Sequence, residues 1–165
     1  MNLIVAVDKR YGIGKDGKLL TYITDDLKMF KSRTDGNILI MGRKTIDSLP
    51  GGRLLPNRET WILSRDKNYS KEGAKVFSSI DKIQEYIDEN NIETSRVFVA
   101  GGAAVYNAFL PIVDVAYITK IDEDFDADVF INNVEMEPSL SLASVSEVIT
   151  NNGHDFRFTV YKKNK

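Results

Sequence analysis

The sequence predicts an α/β fold in one domain spanning 1–165. The central sheet is mostly parallel, helices flank it, and an antiparallel strand closes its C-terminal edge. Three observations predict this. Short β-rich runs alternate with helix patterns, which implies strand–helix–strand units and parallel neighbours. Most of the runs are continuously apolar, as in strands covered on both faces. Near the C-terminus an Asn-Gly pair sits between two β-rich segments, the signal of a hairpin. A length of 165 residues suits one domain, and no repeat, low-complexity tract or Pro/Gly-rich linker divides it.

In order, "LIVAV" (3–7) is the first strand. "TDDLKMFKSRT" follows as a helix, with Thr24 as its expected cap and Asp25 in the first turn, where an acid suits the helix dipole. "NILIM" (37–41) is a strand, and "RKTIDSL" a helix after it. "TWILS" (60–64) and "KVF" (75–77) are strands. "SIDKIQEYIDEN" has apolar residues at 80, 83, 86 and 87, the spacing of one helix face. "RVFVA" (96–100) is a strand, "GAAVYNAFL" a helix and "VAYITKI" (115–121) a strand. "LASVSEVI" and "FRFTVYKK" flank the turn "TNNGHD".

The composition excludes several classes. A net charge of -2 argues against a nucleic-acid partner, which favours a basic face. With no cysteine there is no disulfide framework, thiolate metal site or cysteine nucleophile. One histidine leaves no histidine-based zinc site, so no metal is expected. The apolar run at 3–7 is too short for a signal segment, and nothing approaches the roughly 18 apolar residues of a membrane span. The expected setting is the cytoplasm, with no membrane partner. Chemistry in such a chain points to a borrowed organic cofactor.

Three motifs are weighed and set aside. "GIGKDG" (12–17) matches the letters of a dinucleotide fingerprint, but lacks the strand-to-helix turn and the later ribose-gripping acid, so a flexible loop is expected. "DEDFDAD" (122–128) resembles a calcium loop, yet Ala127 and Asn133 stand where Gly and Glu are needed; it reads as a solvated acidic loop. His154, in the hairpin turn, reads as a surface residue.

Two strand-to-helix junctions suit a phosphate-bearing ligand. In "VFVAGGAAVYNAFL" (97–110), two glycines allow close backbone approach and the helix start offers free N–H groups. In "LIMGRKT" (39–45), Gly42 makes the turn, with Arg43 and Lys44 at the helix start. "ILSRD" (62–66) adds Ser64 and Arg65 at the end of a further strand. If these strands are neighbours, Arg43, Lys44, Ser64 and Arg65 gather to suit a 2′-phosphate, hence NADPH rather than NADH.

In order and spacing, "IVAVD" with "GIGKDGKL", "DDLKMFK", "ILIMGRKT", "LPNR", "ILSRD", "VFVAGGAAVYNAFL" and "AYITKID" resemble the dihydrofolate reductase family across the whole chain. The resemblance implies a single-domain three-layer fold of that type. It implies NADPH-dependent reduction of 7,8-dihydrofolate to tetrahydrofolate, by a monomer whose only partners are small molecules.

The resemblance also implies site residues. Asp26 matches the carboxylate that grips the pterin, and Thr119 the threonine bonded to it. Val5, Ala6 and Ala100 match the backbone edge around the pterin. Leu27, Phe30, Leu49 and Leu55 match the apolar walls. Arg58 matches the arginine that pairs with the folate glutamate. For the cofactor, it implies Ala6, Ile13, Gly14, Leu19, Gly42, Arg43, Lys44, Thr45, Leu63, Ser64, Arg65, Gly101, Gly102, Ala103, Ala104, Val105 and Tyr106. Gly101 and Gly102 match a pair joined by a cis peptide.

One departure stands out. The family reads Leu-Pro-Trp before the acidic helix, where this chain has Leu19, Leu20 and Thr21. Thr21 therefore occupies a catalytic-loop position with a hydroxyl in place of an indole, and can hold a water. The later Leu-Pro is Ile23-Thr24, so the loop 8–24 closes in its own way. Two rival functions follow: a reductase of the same fold acting on a riboflavin-pathway pyrimidine, and a protein that binds NADPH or folate without chemistry.

Overall fold

A computed structural model describes residues 1–165. In chain order the elements are β1 (Asn2–Val7), β2 (Gly12–Lys15), β3 (Lys18–Leu19), α1 (Thr24–Thr34), β4 (Ile38–Gly42), α2 (Arg43–Asp47), β5 (Glu59–Leu63), β6 (Ala74–Phe77), α3 (Ile80–Glu89), β7 (Val97–Val99), α4 (Ala103–Phe109), β8 (Val115–Ile121), β9 (Val129–Phe130), β10 (Leu140–Val145), β11 (Ile149–Asn151) and β12 (His154–Lys163).

The main sheet runs β10-β12-β8-β1-β7-β4-β5-β6, with β11 on β12. Every pairing from β8 to β6 is parallel. Those of β12 with β8, β10 and β11 are antiparallel. The predicted antiparallel edge is therefore present. Asn152 and Gly153 make its hairpin turn with φ of 53° and 78°, as two central residues of a type I′ turn require.

Alternation along β1 divides the interior into layers. Leu3, Val5 and Val7 face the larger core with Trp61, Ile83, Ile87 and Phe109, beneath α3 and α4. Ile4 faces the opposite core with Leu39, Met41, Ile62 and Phe98, beneath α1 and α2. Helices thus cover both faces, which explains the continuously apolar strands.

The structure corrects two expectations. "GIGK" is not a loop: β2 pairs with β3 and with β9, over a hundred residues on, in a separate three-stranded sheet. Gly12 is needed there, because a Cβ would lie 2.4 Å from the Ala127 Cβ. Thr24 does not cap α1 either. The N-cap is Ile23, which offers no capping side chain.

The acidic loop is solvated as expected, and it faces cations. Lys9, Arg10 and Lys15 lie 3.2, 3.8 and 3.4 Å from Asp122, Asp124 and Asp126. These exposed pairs contribute little stability each. No helix is long and apolar enough to cross a membrane.

Candidate active site

Asp26 lies in the first turn of α1, over the sheet face that carries Ile4, Ala6 and their β8 neighbours. Ala6 is paired with Thr119, so the two share that face. Thr119 is fully buried, and its hydroxyl donates to Asp26 Oδ1 at 2.6 Å. Burial pushes the Asp26 carboxyl above the usual carboxylate range, and the bond from Thr119 pulls it part of the way back. Tyr106 is close enough to feel this charge. Its phenol is raised first by burial and then by Asp26, and its hydroxyl donates to the Ile4 carbonyl at 2.8 Å.

Thr119→Val keeps the shape and removes the donor. The carboxyl should then titrate at a still higher pH, because its charged form loses a hydrogen bond. Carbon-13 NMR of the labelled aspartates would follow the midpoint, and an unchanged midpoint would contradict this account.

Apolar side chains pack on the same side of the sheet. Phe30, one turn beyond Asp26, packs with Leu49, Leu55 and Ala100 against the core beneath α1. Leu27 joins no core cluster and is 45% exposed. Val5 points its side chain into the opposite core, so only its backbone faces this side.

Arg58 stands at the far end of α1. Its Nε donates to the Pro56 carbonyl at 2.9 Å, and Nη1 to the Thr34 hydroxyl at 3.3 Å. Both partners are neutral, so the guanidinium keeps N–H groups for a carboxylate.

The glycine junctions converge. The Gly101-Gly102 peptide is cis, and the Gly101 carbonyl accepts from Gly42 N at 2.8 Å. This bond ties the end of β4 to the end of β7. Added Cβ atoms would crowd the junction: that of Gly42 would lie 3.2 Å from Val105, and that of Gly102 3.0 Å from the Thr45 hydroxyl. Gly101 has φ of +128°, where side chains are strained. Gly101→Ala should therefore cost about 1–3 kcal/mol of stability, read by thermal unfolding. An unchanged melting temperature would refute the strain. Ala103 and Ala104 open α4 beyond this turn, with Val105 and Tyr106 buried behind them.

The neighbouring strands predicted for the cationic cluster are present, with Gly42 level with Leu63. Ser64 and Arg43 follow at adjacent strand ends. Arg43 is already engaged, 3.0 Å from Asp66 and stacked 4.4 Å over the Tyr69 ring. Lys44 and Arg65 are exposed. Tyr69 carries no signal in the sequence that would assign it here. Ile13 packs on the larger core, while Gly14 and Leu19 are paired in the small sheet, with Leu19 59% exposed.

A separate cavity lies elsewhere. About 550 Å³ in volume, it is lined by Tyr11, Lys120 and Glu135. Neither Asp26 nor Thr119 lines it.

The sequence matches the family model described as Dihydrofolate reductase over residues 1–163. It is 36% identical over 165 residues to the dihydrofolate reductase of Staphylococcus haemolyticus, covering 99% of this chain and 95% of that one. With that of Enterococcus faecium it shares 34% identity, covering 96% and 93%. The fold superposes with a TM-score of 0.85 on dihydrofolate reductase from Enterococcus faecalis complexed with NADP(H) and RAB-propyl, at 30% identity and 99% and 96% coverage. A half-buried carboxylate over a parallel sheet, a glycine junction at the strand ends and end-to-end likeness in sequence and fold agree: this chain belongs to the dihydrofolate reductase family.

Proposed function

We propose that this protein reduces 7,8-dihydrofolate to tetrahydrofolate with NADPH. The observation that carries this is the bond from buried Thr119 to half-buried Asp26 beneath α1, in a chain that belongs to this family throughout. A pterin presents a ring nitrogen beside an exocyclic amine, and a carboxylate accepts two parallel hydrogen bonds from such a fork. Phe30, Leu49 and Leu55 exclude water around it, and Arg58 pairs with the glutamate tail.

The residues at the glycine junction fit a dinucleotide. Gly42, Gly101 and Gly102 leave space that side chains would fill, and cationic Lys44 and Arg65 stand nearby for a phosphate. NADPH, when bound, supplies the hydride. Thr45 and the start of α4 would hold its phosphates, while Arg43, Lys44, Ser64 and Arg65 would favour a 2′-phosphate. Ala6, Ile13, Gly14, Leu19, Leu63 and Tyr106 line the remainder of its path.

Asp26 polarises the pterin and favours protonation at N5, and Thr119 keeps the carboxylate aimed. We propose that it acts as a monomer in the cytoplasm.

The test follows NADPH oxidation by absorbance with purified protein, with and without dihydrofolate. Dihydrofolate-dependent oxidation is the expected result. NADPH binding without oxidation would overturn the assignment, and activity on the riboflavin-pathway pyrimidine instead would redirect it.

A further inference from the structure

His154 is no solvated surface residue. Its side chain is only 20% exposed and lies between two partners. Nδ1 is 2.6 Å from Glu123 Oε1, and Nε2 is 3.1 Å from the Thr21 hydroxyl. The Phe125 ring packs at 5.5 Å. Just before it, Asn151 at the end of β11 and Asn152 in the hairpin turn reach the start of α1. Asn152 Oδ1 accepts from Thr24 N at 2.8 Å and from the Thr24 hydroxyl at 2.9 Å. Asn151 Oδ1 accepts from Asp25 N at 3.0 Å.

A helix start leaves N–H groups without partners inside the helix, and Ile23 offers no side chain to meet them. The hairpin supplies the missing acceptors from more than a hundred residues away. Asp26 is the next residue along.

The ring chemistry adds direction. An ionised carboxylate only accepts, so the proton between Glu123 and His154 belongs to Nδ1. In the neutral ring Nε2 is then bare. Thr21 must donate to it, which leaves the threonine oxygen's two lone pairs as acceptors.

We propose that Asn151, Asn152, His154 and Glu123 are positioning residues of the reductase. The hairpin caps α1 in trans, and a Glu123–His154–Thr21 relay holds the end of the 8–24 loop with the Thr21 hydroxyl set as a hydrogen-bond acceptor. This deepens the reductase assignment and rests on it, because the element held is the junction that carries Asp26.

His154 is the only histidine, so its imidazole nitrogens give unambiguous NMR signals. In alkaline buffer the nitrogen-15 spectrum of the wild type should show a protonated Nδ1 and a bare Nε2. Thr21→Val should shift the Nε2 resonance, whereas Thr21→Ser should preserve it. An Nε2–H tautomer, or an Nε2 signal indifferent to Thr21→Val, would overturn the relay.

Kinetics test the positioning. His154→Ala and Thr21→Val should each lower kcat about tenfold, with the NADPH dissociation constant unchanged, and the double variant should be no worse than either single one. Asn151→Ala with Asn152→Ala should also lower kcat. His154→Gln should recover part of the loss. Additive losses, or a rise in KM alone, would overturn a positioning role. A wild type that does not oxidise NADPH with dihydrofolate would instead refute the reductase assignment, and the NMR result would still decide the relay.

Discussion

Asp26→Asn should lower dihydrofolate turnover at neutral pH by about 10²- to 10⁴-fold, the range for losing a group that assists proton transfer. The amide keeps the volume and an acceptor for the Thr119 hydroxyl. It cannot accept two parallel hydrogen bonds from the pterin fork or supply negative charge that favours protonation at N5. Steady-state assays across pH would measure the loss, and wild-type turnover at neutral pH would refute the assigned role.

The same substitution should stabilise the ligand-free protein. Burial raises the folded-state pKa of Asp26 above its unfolded value, so the folded state binds the proton more tightly. Between the two pKa values the folded form carries more protons. Stability contributed by this group therefore falls as pH rises from the unfolded value through the folded one. Asparagine removes that penalty. Chemical unfolding should show Asp26→Asn more stable than wild type at neutral pH, with the advantage fading below the ordinary aspartate range of roughly 3.9. A variant less stable at neutral pH would contradict the account.

Replacing Arg58 should produce the second large effect, of another kind. Arg58→Ala should raise KM for dihydrofolate about 100-fold and leave kcat nearly unchanged. The arginine grips a part of the substrate that does not react, so it stabilises ground and transition states alike. A paired, charge-assisted contact has about this magnitude. Arg58→Lys should recover only part of the loss, since an ammonium cannot reproduce the planar fork. A dihydropterin without the glutamate tail separates the causes: the variant should process it as well as wild type does. Equal losses on both substrates would mean that Arg58 supports the fold through Pro56 and Thr34.

Local signals in the chain carried much of the architecture. The continuously apolar runs became strands covered by helices on both faces, and Asn152-Gly153 became a hairpin turn. Such features depend on residues close together in the chain, where periodicity and turn chemistry are read directly. The "GIGK" segment misled because its pairing partner, β9, lies far along the chain. Thr24 lies inside α1 instead of capping it, because the acceptors for the first N–H groups come from Asn151 and Asn152, far along the chain.

The candidate site divides the same way. Strand-to-helix junctions at Gly42 and at Gly101-Gly102 were visible locally, as was the possible cluster of Arg43, Lys44, Ser64 and Arg65. The pairing of Asp26 with Thr119, 93 positions away, came from family resemblance and no local pattern. Nothing in the sequence marked Tyr69 as the platform under Arg43 or His154 as a partner of Thr21. By itself the sequence determined the α/β class, the strand and helix segments, the absence of thiol chemistry and, through its resemblance, the family. Only the tertiary structure decided how Asp26 is desolvated, which acceptors cap its helix and where the lone histidine points. Each of these depends on groups distant in the chain meeting in space, where partial desolvation and directional hydrogen bonds set the chemistry.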